Sequence, residues 1–133
     1  MRLIFTLITM LFLISSFTGC KLSHKNNFPG GYSLWASDTK DDMALMVKID
    51  EYDIGVVSPR ISAYMYNDSY IAVIQVNSKY QNESDEERYY IVPLKNKISE
   101  NPEKNLIGPL SQKDFMRNAE LIDSKQEVNF IEL

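Results

Sequence analysis

The sequence has very few of the residues that most often carry catalysis or bind metals. It contains one cysteine, Cys20, and one histidine, His24, and both lie near the N-terminus. Beyond residue 24 the chain therefore has no histidine that could activate a serine or cysteine nucleophile. It also has no histidine there that could bind a zinc ion. The single cysteine also has no partner for a disulfide within the chain.

Glycine is scarce as well, and its spacing excludes the common nucleotide-binding loops. The five glycines, at positions 19, 30, 31, 55 and 108, match neither the G-x-G-x-x-G nor the P-loop pattern. The acidic runs at 38–42 and 50–53 lack the spacing of a calcium-binding loop. We predict that the protein binds no cofactor and no metal ion, and that it is not an enzyme.

Basic residues are outnumbered by acidic ones, which limits the partners that the surface suits. The chain has 14 Lys and Arg against 18 Asp and Glu, and its net charge is −4. Nucleic-acid binding needs clustered basic side chains, so we predict no nucleic-acid partner. A basic patch for a membrane surface is missing too, and any membrane attachment must therefore come from a lipid.

The N-terminus carries the longest apolar run of the sequence. Met1 and Arg2 precede an apolar stretch of 12 residues at 3–14, which only two threonines interrupt. As a helix it would span about 18 Å, well short of the roughly 30 Å hydrocarbon core of a bilayer. This anatomy favours a removable signal peptide over a permanent transmembrane helix. We predict that residues 1–19 are the signal.

The residues that follow this run resemble the lipobox of bacterial lipoproteins. The match is Phe17-Thr18-Gly19-Cys20, in which Phe17 stands where leucine is usual. The resemblance implies cleavage between Gly19 and Cys20, a diacylglycerol on the Cys20 sulfur and an added palmitate. It also implies a lipid-anchored protein of the cell membrane. Since Lys21 rather than aspartate follows the cysteine, the outer membrane is favoured in a host with two membranes.

After the lipidation site, turn residues mark where the folded domain begins. Residues 20–28 are polar and without periodicity, and we predict that they form a tether. Pro29-Gly30-Gly31 then gives a strong turn signal. The 114 residues left after removal of 19 from 133 suit one domain, which we place at 29–133.

The domain sequence alternates between β-prone runs and polar stretches. The predicted strands cover residues 32–36, 43–49, 60–66, 69–77, 88–94 and 128–133. The strongest signal is the 60–77 hairpin about Asn67-Asp68, for which we predict that Ile61 pairs with Ile74 and Ala63 with Ala72. Both faces of this hairpin are largely apolar, which indicates a central position with cover on each side.

One helix is predicted, at about 112–122. Ser111 is a suitable N-cap with Asp114 three residues later, and Phe115, Ala119 and Ile122 share one face. The predicted fold class is therefore α+β: an antiparallel sheet of about five to six strands, centred on the hairpin and covered on one face by this helix.

The domain also resembles small bacterial lipoproteins of uncharacterised families. The resemblance rests on the Pro29-Gly30-Gly31-Tyr32 opening, the tyrosine-rich hairpin and the Gly108-Pro109-Leu110-Ser111 approach to the helix. It covers most of the mature chain. Because these motifs are structural, the resemblance implies no activity and no functional residue.

Aromatic residues are the enrichment that bears on function. The chain has eight tyrosines and one tryptophan. Tyrosine is common both in strands and at interfaces, so simple β-propensity remains an alternative to binding. The proposed interaction surface consists of Trp35, Tyr64, Tyr66, Tyr89 and Tyr90.

We predict an envelope lipoprotein that acts as a protein-interaction module. A more specific hypothesis is an immunity lipoprotein, whose acidic surface would meet a basic toxin. The remaining hypotheses are a small-ligand binder, an enzyme of unrecognised type and a passive structural lipoprotein.

The lipidation site can be tested by replacing its sulfur. In Cys20→Ala, incorporation of radiolabelled palmitate should fall to background and the protein should leave the membrane fraction, because no other thiol is present. Ser23→Ala, three residues further on, is the matched control and should keep the label. Finding residues 1–19 still attached to the wild-type protein by mass spectrometry would contradict the prediction.

Overall fold

The computed structural model describes residues 25–76, 86–95 and 101–133. The predicted signal peptide, Cys20 and His24 lie outside these residues. Across the described ranges, nine strands form two antiparallel sheets, and one α-helix lies near the C-terminus. The α+β fold class is confirmed. None of the helices in these ranges is long and apolar enough to cross a membrane.

The strands divide between two sheets. In chain order they are β1 (Lys25–Asn27), β2 (Tyr32–Trp35), β3 (Ala44–Ile49), β4 (Tyr52–Val57), β5 (Ile61–Tyr66), β6 (Tyr70–Val76), β7 (Glu87–Pro93), β8 (Ile107–Leu110) and β9 (Ile131–Glu132), and the helix α1 spans Gln112–Ile122. Sheet A has the order β1-β2-β3-β4, and sheet B has the order β8-β7-β6-β5-β9. The predicted strands at 32–36 and 43–49 form β2 and β3 of sheet A, and do not join the hairpin in one sheet as expected. Sheet B contains the hairpin strands, β7, β9 and the unpredicted β8, and α1 packs against it.

The central hairpin is covered on both faces, as its sequence indicated. Successive side chains of a strand point to opposite faces. Ile71 and Val73 accordingly pack in the core between the two sheets, while Ala72 and Ile74 pack in the core beneath α1. None of these four side chains is more than 8% exposed. Sheet B is therefore the middle of three layers.

The register of the hairpin differs from the predicted one by two residues. Ala63 pairs with Ile74 and Met65 pairs with Ala72. Because the shift is even, each of these side chains keeps its predicted face. Ile61 is the exception: a bulge between Ile61 and Ala63 turns its side chain into the core between the sheets.

The turn of this hairpin explains the shift. The Asn67 N–H donates to the Tyr70 carbonyl, so the two connecting residues are Asp68 and Ser69 rather than Asn67 and Asp68. The Asn67 side-chain oxygen accepts from the N–H groups of Ser69 and Tyr70, at 2.7 and 2.9 Å. Such a side-chain turn fixes the backbone locally, and it moves the pairing one residue along each strand.

Helix α1 begins and ends where the sequence predicted. The Ser111 hydroxyl accepts from the Asp114 N–H at 3.2 Å, which satisfies one of the free N–H groups of the first turn. Phe115 and Ala119 are each 1% exposed and face sheet B. The helix therefore covers the side of sheet B that sheet A leaves open.

The folded sheet begins earlier than the predicted boundary at residue 29. Strand β1, which pairs with β2, lies inside the segment 20–28 that was predicted to be a tether. Phe28 is only 8% exposed, and its ring centroid lies 5.4 Å from that of Tyr64 and 5.0 Å from that of Tyr66. The three residues of β1 are all exposed, so the strand shows no hydrophobic periodicity in the sequence. Backbone pairing with β2 and the packing of the adjoining Phe28 stabilise it instead.

Strand β8 approaches β7 closely because of a glycine. Gly108 has φ +144°, and a Cβ there would lie 2.7 Å from Cδ1 of Tyr90 and 2.8 Å from the Tyr89 carbonyl oxygen. Both distances are below those that real Cβ atoms tolerate. Glycine is therefore required where the Tyr90 ring meets the backbone of β8.

Gly108→Ala should destabilise the protein by about 2 kcal/mol or more, since it adds both a steric clash and backbone strain. Gly55→Ala is the matched control, because its Cβ would meet only the Met46 sulfur, at 3.9 Å. We expect the control to stay within about 1 kcal/mol of wild type in urea unfolding. Equal stability of the two variants would contradict the packing of β8.

Candidate functional site

The five residues of the proposed interaction surface do not lie side by side. Trp35 is 38% exposed on sheet A, and Tyr66 is 49% exposed at the end of β5. Tyr64 and Tyr90 are half-buried against the core between the sheets, whereas Tyr89 is 5% exposed beneath α1. Strand alternation sends the neighbours Tyr89 and Tyr90 to opposite faces. They cannot belong to one surface.

Tyr89 is a packing residue in this arrangement. Its ring centroid lies 5.2 Å from that of Phe115 and 6.1 Å from that of Phe130. Its hydroxyl donates to Oε2 of Glu87 at 2.8 Å. Burial, followed by the hydrogen bond to the Glu87 carboxylate and its negative charge, raises the pKa of Tyr89 to about 12.

Tyr64 and Tyr66 close one side of the two-sheet sandwich. Both rings contact Phe28, the residue that follows β1. The Asn26 side-chain nitrogen also donates to the Tyr64 hydroxyl, at 3.4 Å. On this side of the sandwich, contacts of Phe28 with the two tyrosines of β5 therefore close the gap between the sheets.

The opposite side is open, and it contains a groove that we call the Tyr90 groove. It has a volume of about 530 Å³ and lies where the edge strands β4 and β8 face each other. Its lining consists of Gly55, Val56, Val57, Ser58, Tyr90, Glu103, Leu106, Gly108 and Pro109. Of the five predicted surface residues, Tyr90 is the one in this lining.

A hydrogen-bond network fixes the Tyr90 ring. Its hydroxyl donates to Oε1 of Gln75 at 3.2 Å. Gln75 is 8% exposed, and its Nε2 donates to the Ser58 hydroxyl at 2.8 Å and to the Ser58 carbonyl at 3.0 Å. Together with the contact on Gly108, the network holds one wall of the groove in a set position.

The groove offers mostly apolar contacts with a few polar groups at its rim. Val56 and Val57 are buried, while Gly55, Glu103 and Pro109 are exposed. The groove can therefore accept an apolar or aromatic group against Tyr90 and a hydrogen-bond donor at the Glu103 carboxylate. Among the described residues, no three acidic, histidine or cysteine side chains gather into a metal-binding cluster.

A smaller recess lies at the end of the sandwich where β5 begins. Its volume is about 320 Å³, and Lys40, Asp41 and Arg60 contribute to its lining. Arg60 has φ +94°, which is rare for a residue with a side chain. Two backbone hydrogen bonds hold this strained conformation, from Val76 N–H to the Arg60 carbonyl and from Ile61 N–H to the Met43 carbonyl, the latter at 3.0 Å.

The most exposed large aromatic side chain of the described residues was not predicted. Tyr52 is 74% exposed at the start of β4. It follows the two-residue connection of the β3–β4 hairpin, whose acidic residues are Asp50 and Glu51. The acidic run was visible in the sequence, but strand β4 was not, because Asp53 and Gly55 interrupt its apolar pattern.

Comparison with known proteins places the domain in a family. A family model described as a protein of unknown function (DUF3997) matches residues 29–133. The chain belongs to this family, in agreement with the resemblance to an uncharacterised family. No curated protein and no solved structure matches the chain.

The raised pKa of Tyr89 predicts how stability depends on alkaline pH. In the unfolded chain a tyrosine ionises near pH 10.0, whereas folded Tyr89 stays protonated up to about 12. The unfolded state therefore loses this proton first, and the free energy of unfolding should fall as the pH rises between these two values. Denaturant unfolding between these two pH values should show that the free energy of unfolding falls less for Tyr89→Phe than for wild type. Tyr52→Phe, at the exposed position, is the control and should follow wild type.

Proposed function

We propose that this member of the DUF3997 family is a lipid-anchored, non-enzymatic protein of the bacterial envelope that binds another protein through the Tyr90 groove. The groove is the observation that carries the proposal. A fixed aromatic ring, apolar flanks and an exposed polar rim are the features of interface positions that contribute most to binding. Pre-organisation of the ring also lowers the entropy lost on association.

The position of the groove favours a protein partner over a compact ligand. It runs between β4 and β8, which are edge strands of their sheets in the described structure. Edge strands leave backbone N–H and C=O groups unpaired on one side. An extended segment of a partner could therefore bond to an edge while one of its side chains enters the groove.

The anchoring part of the proposal rests on the sequence. Cys20 is the only cysteine and ends a lipobox-like motif, and a signal-type apolar run precedes it. The proposed location is the outer face of the cell membrane, or the outer membrane of a host that has two.

A narrower version of the proposal is toxin neutralisation. Tyr52 is exposed and directly follows the acidic turn residues Asp50 and Glu51, and this combination suits a basic partner. Opposite charges would then speed the encounter. A toxin gene next to this gene in related genomes would favour this version, and its consistent absence would remove the reason for it.

The second candidate function is small-ligand binding in the same groove. A volume of about 530 Å³ falls within the usual range of small-molecule sites. A ligand bound there would raise the melting temperature of the purified domain without any protein present. A protein partner would require the second chain for the same effect.

Site-specific photo-crosslinking in the native host tests the groove. A photoreactive amino acid at Glu103, on the rim, should give one adduct of defined mass, whereas the same amino acid at Glu120, exposed on α1, should not. Tyr90→Ala should abolish the Glu103 adduct because it removes the aromatic ring that forms one wall of the groove. Tyr90→Phe, which keeps the ring and loses only the hydroxyl, should retain it.

Thermal unfolding of both Tyr90 variants checks that the fold is intact. Adducts of equal yield from Glu103 and Glu120, or an adduct that persists in Tyr90→Ala, would contradict binding at the groove.

A further inference from the structure

The proposed lipid anchor lies very close to one end of sheet A. Strand β1 begins at Lys25, and the register pairs Lys25 with Trp35. Five residue steps join Cys20 to Lys25, and no chain conformation lets them span more than about 18 Å. Acyl chains on Cys20 would therefore hold the Trp35 end of sheet A near the bilayer surface.

Trp35 projects from the outer face of sheet A. Leu34, the residue before it, is fully buried in the core between the sheets, so alternation turns Trp35 outward. Lys25 and Ala44 are its cross-strand partners, and residues directly opposite each other share a face. Lys25, Trp35 and Ala44 therefore form one row at this end of the sheet.

Among the described strand residues, the row next to this one on the outer face contains no acidic side chain. The second row consists of Asn27, Ser33, Met46 and Gly55. Only at the far end does an acidic residue appear, Asp53, opposite Lys48. Trp35 with Met46 thus gives an apolar corner on the face, and Lys25 gives it a positive charge.

The charges around this corner indicate which kind of lipid it suits. The loop at 38–42 follows Trp35 and carries three aspartates and one lysine. This loop offsets the positive charge of Lys25, so attraction to anionic lipid cannot drive the contact. Tryptophan itself favours the headgroup level of a membrane, whatever the lipid charge.

We propose that Trp35 and Lys25 lie in the headgroup region of the zwitterionic bilayer to which Cys20 is attached. The contact gives the domain one preferred orientation, with the Lys25 stem along the apolar region and its charge at the surface. The β3–β4 turn then points away from the membrane, about 17 Å beyond the Trp35 row, since five residues of β3 rise about 3.3 Å each. This inference rests on the proposed lipid anchor.

The protein contains a built-in reporter for the test, because Trp35 is its only tryptophan. The full-length protein, expressed with its own N-terminal segment in a bacterium, is reconstituted into phosphatidylcholine vesicles with and without brominated acyl chains. Bromine quenches tryptophan only at short range. We expect brominated lipid to reduce the fluorescence of Trp35 by about half, because an interfacial ring lies near the upper acyl chain.

A second reporter at the opposite end is the matched control. Trp35→Phe combined with Tyr52→Trp moves the single tryptophan to the β3–β4 turn, where brominated lipid should leave the fluorescence unchanged. Circular dichroism confirms that the variant folds. High salt should not alter either result, because the contact does not depend on charge.

Vesicle flotation separates the two proposals. Flotation with quenching of Trp35 alone supports the orientation. Flotation with no quenching of Trp35, or with equal quenching of both reporters, overturns the orientation and leaves the anchor standing. A protein that does not float with the vesicles overturns both the anchor and the orientation.

Discussion

Strand β6 has apolar side chains on both faces, and each face needs its own cover. Tyr70, Ala72 and Ile74 pack beneath α1, while Ile71 and Val73 pack against sheet A. One helix can cover only one face of a sheet. The second layer of strands is therefore a consequence of the β6 sequence, since an exposed Ile71 and Val73 would leave a large apolar surface in water. The three-layer order follows from this single strand.

The same alternation decides where the tyrosines can act. Tyr89 and Tyr90 are adjacent, yet one fills the core beneath the helix and the other reaches the open side of the sandwich. The Tyr90 ring remains accessible there because Gly108 lets β8 pass beneath it without a side chain. Burial on one face and a groove on the other thus arise from one dipeptide in β7. Tyrosine content alone could not distinguish these two roles.

The sequence predicted the elements whose signals are local and missed those that depend on pairing. The structure confirms the hairpin, α1 and the α+β class. These features were predictable because hydrophobic periodicity and the Ser111 cap depend only on residues that are close in sequence. Strand β1 has three exposed polar residues, and β4 contains Asp53 and Gly55, so neither shows an alternating pattern. Their strand conformation comes from β2 and β3 beside them. The Tyr90 groove was unpredictable for the same reason, since one of its walls is β4.

The two sides of the sandwich differ: one is closed by packing of aromatic side chains, and the other contains the Tyr90 groove. On one side, Phe28 packs against Tyr64 and Tyr66, and Asn26 bonds to Tyr64, so β1 is fastened to sheet B. The chain that leads to Cys20 continues from this fastened strand. On the other side, β4 and β8 remain apart around Tyr90. Because β1 and β4 are opposite edges of sheet A, a partner at the groove would approach without displacing the strand that joins the domain to its proposed anchor. The proposed anchor and the proposed binding groove therefore lie at opposite edges of sheet A and do not compete for the same strand.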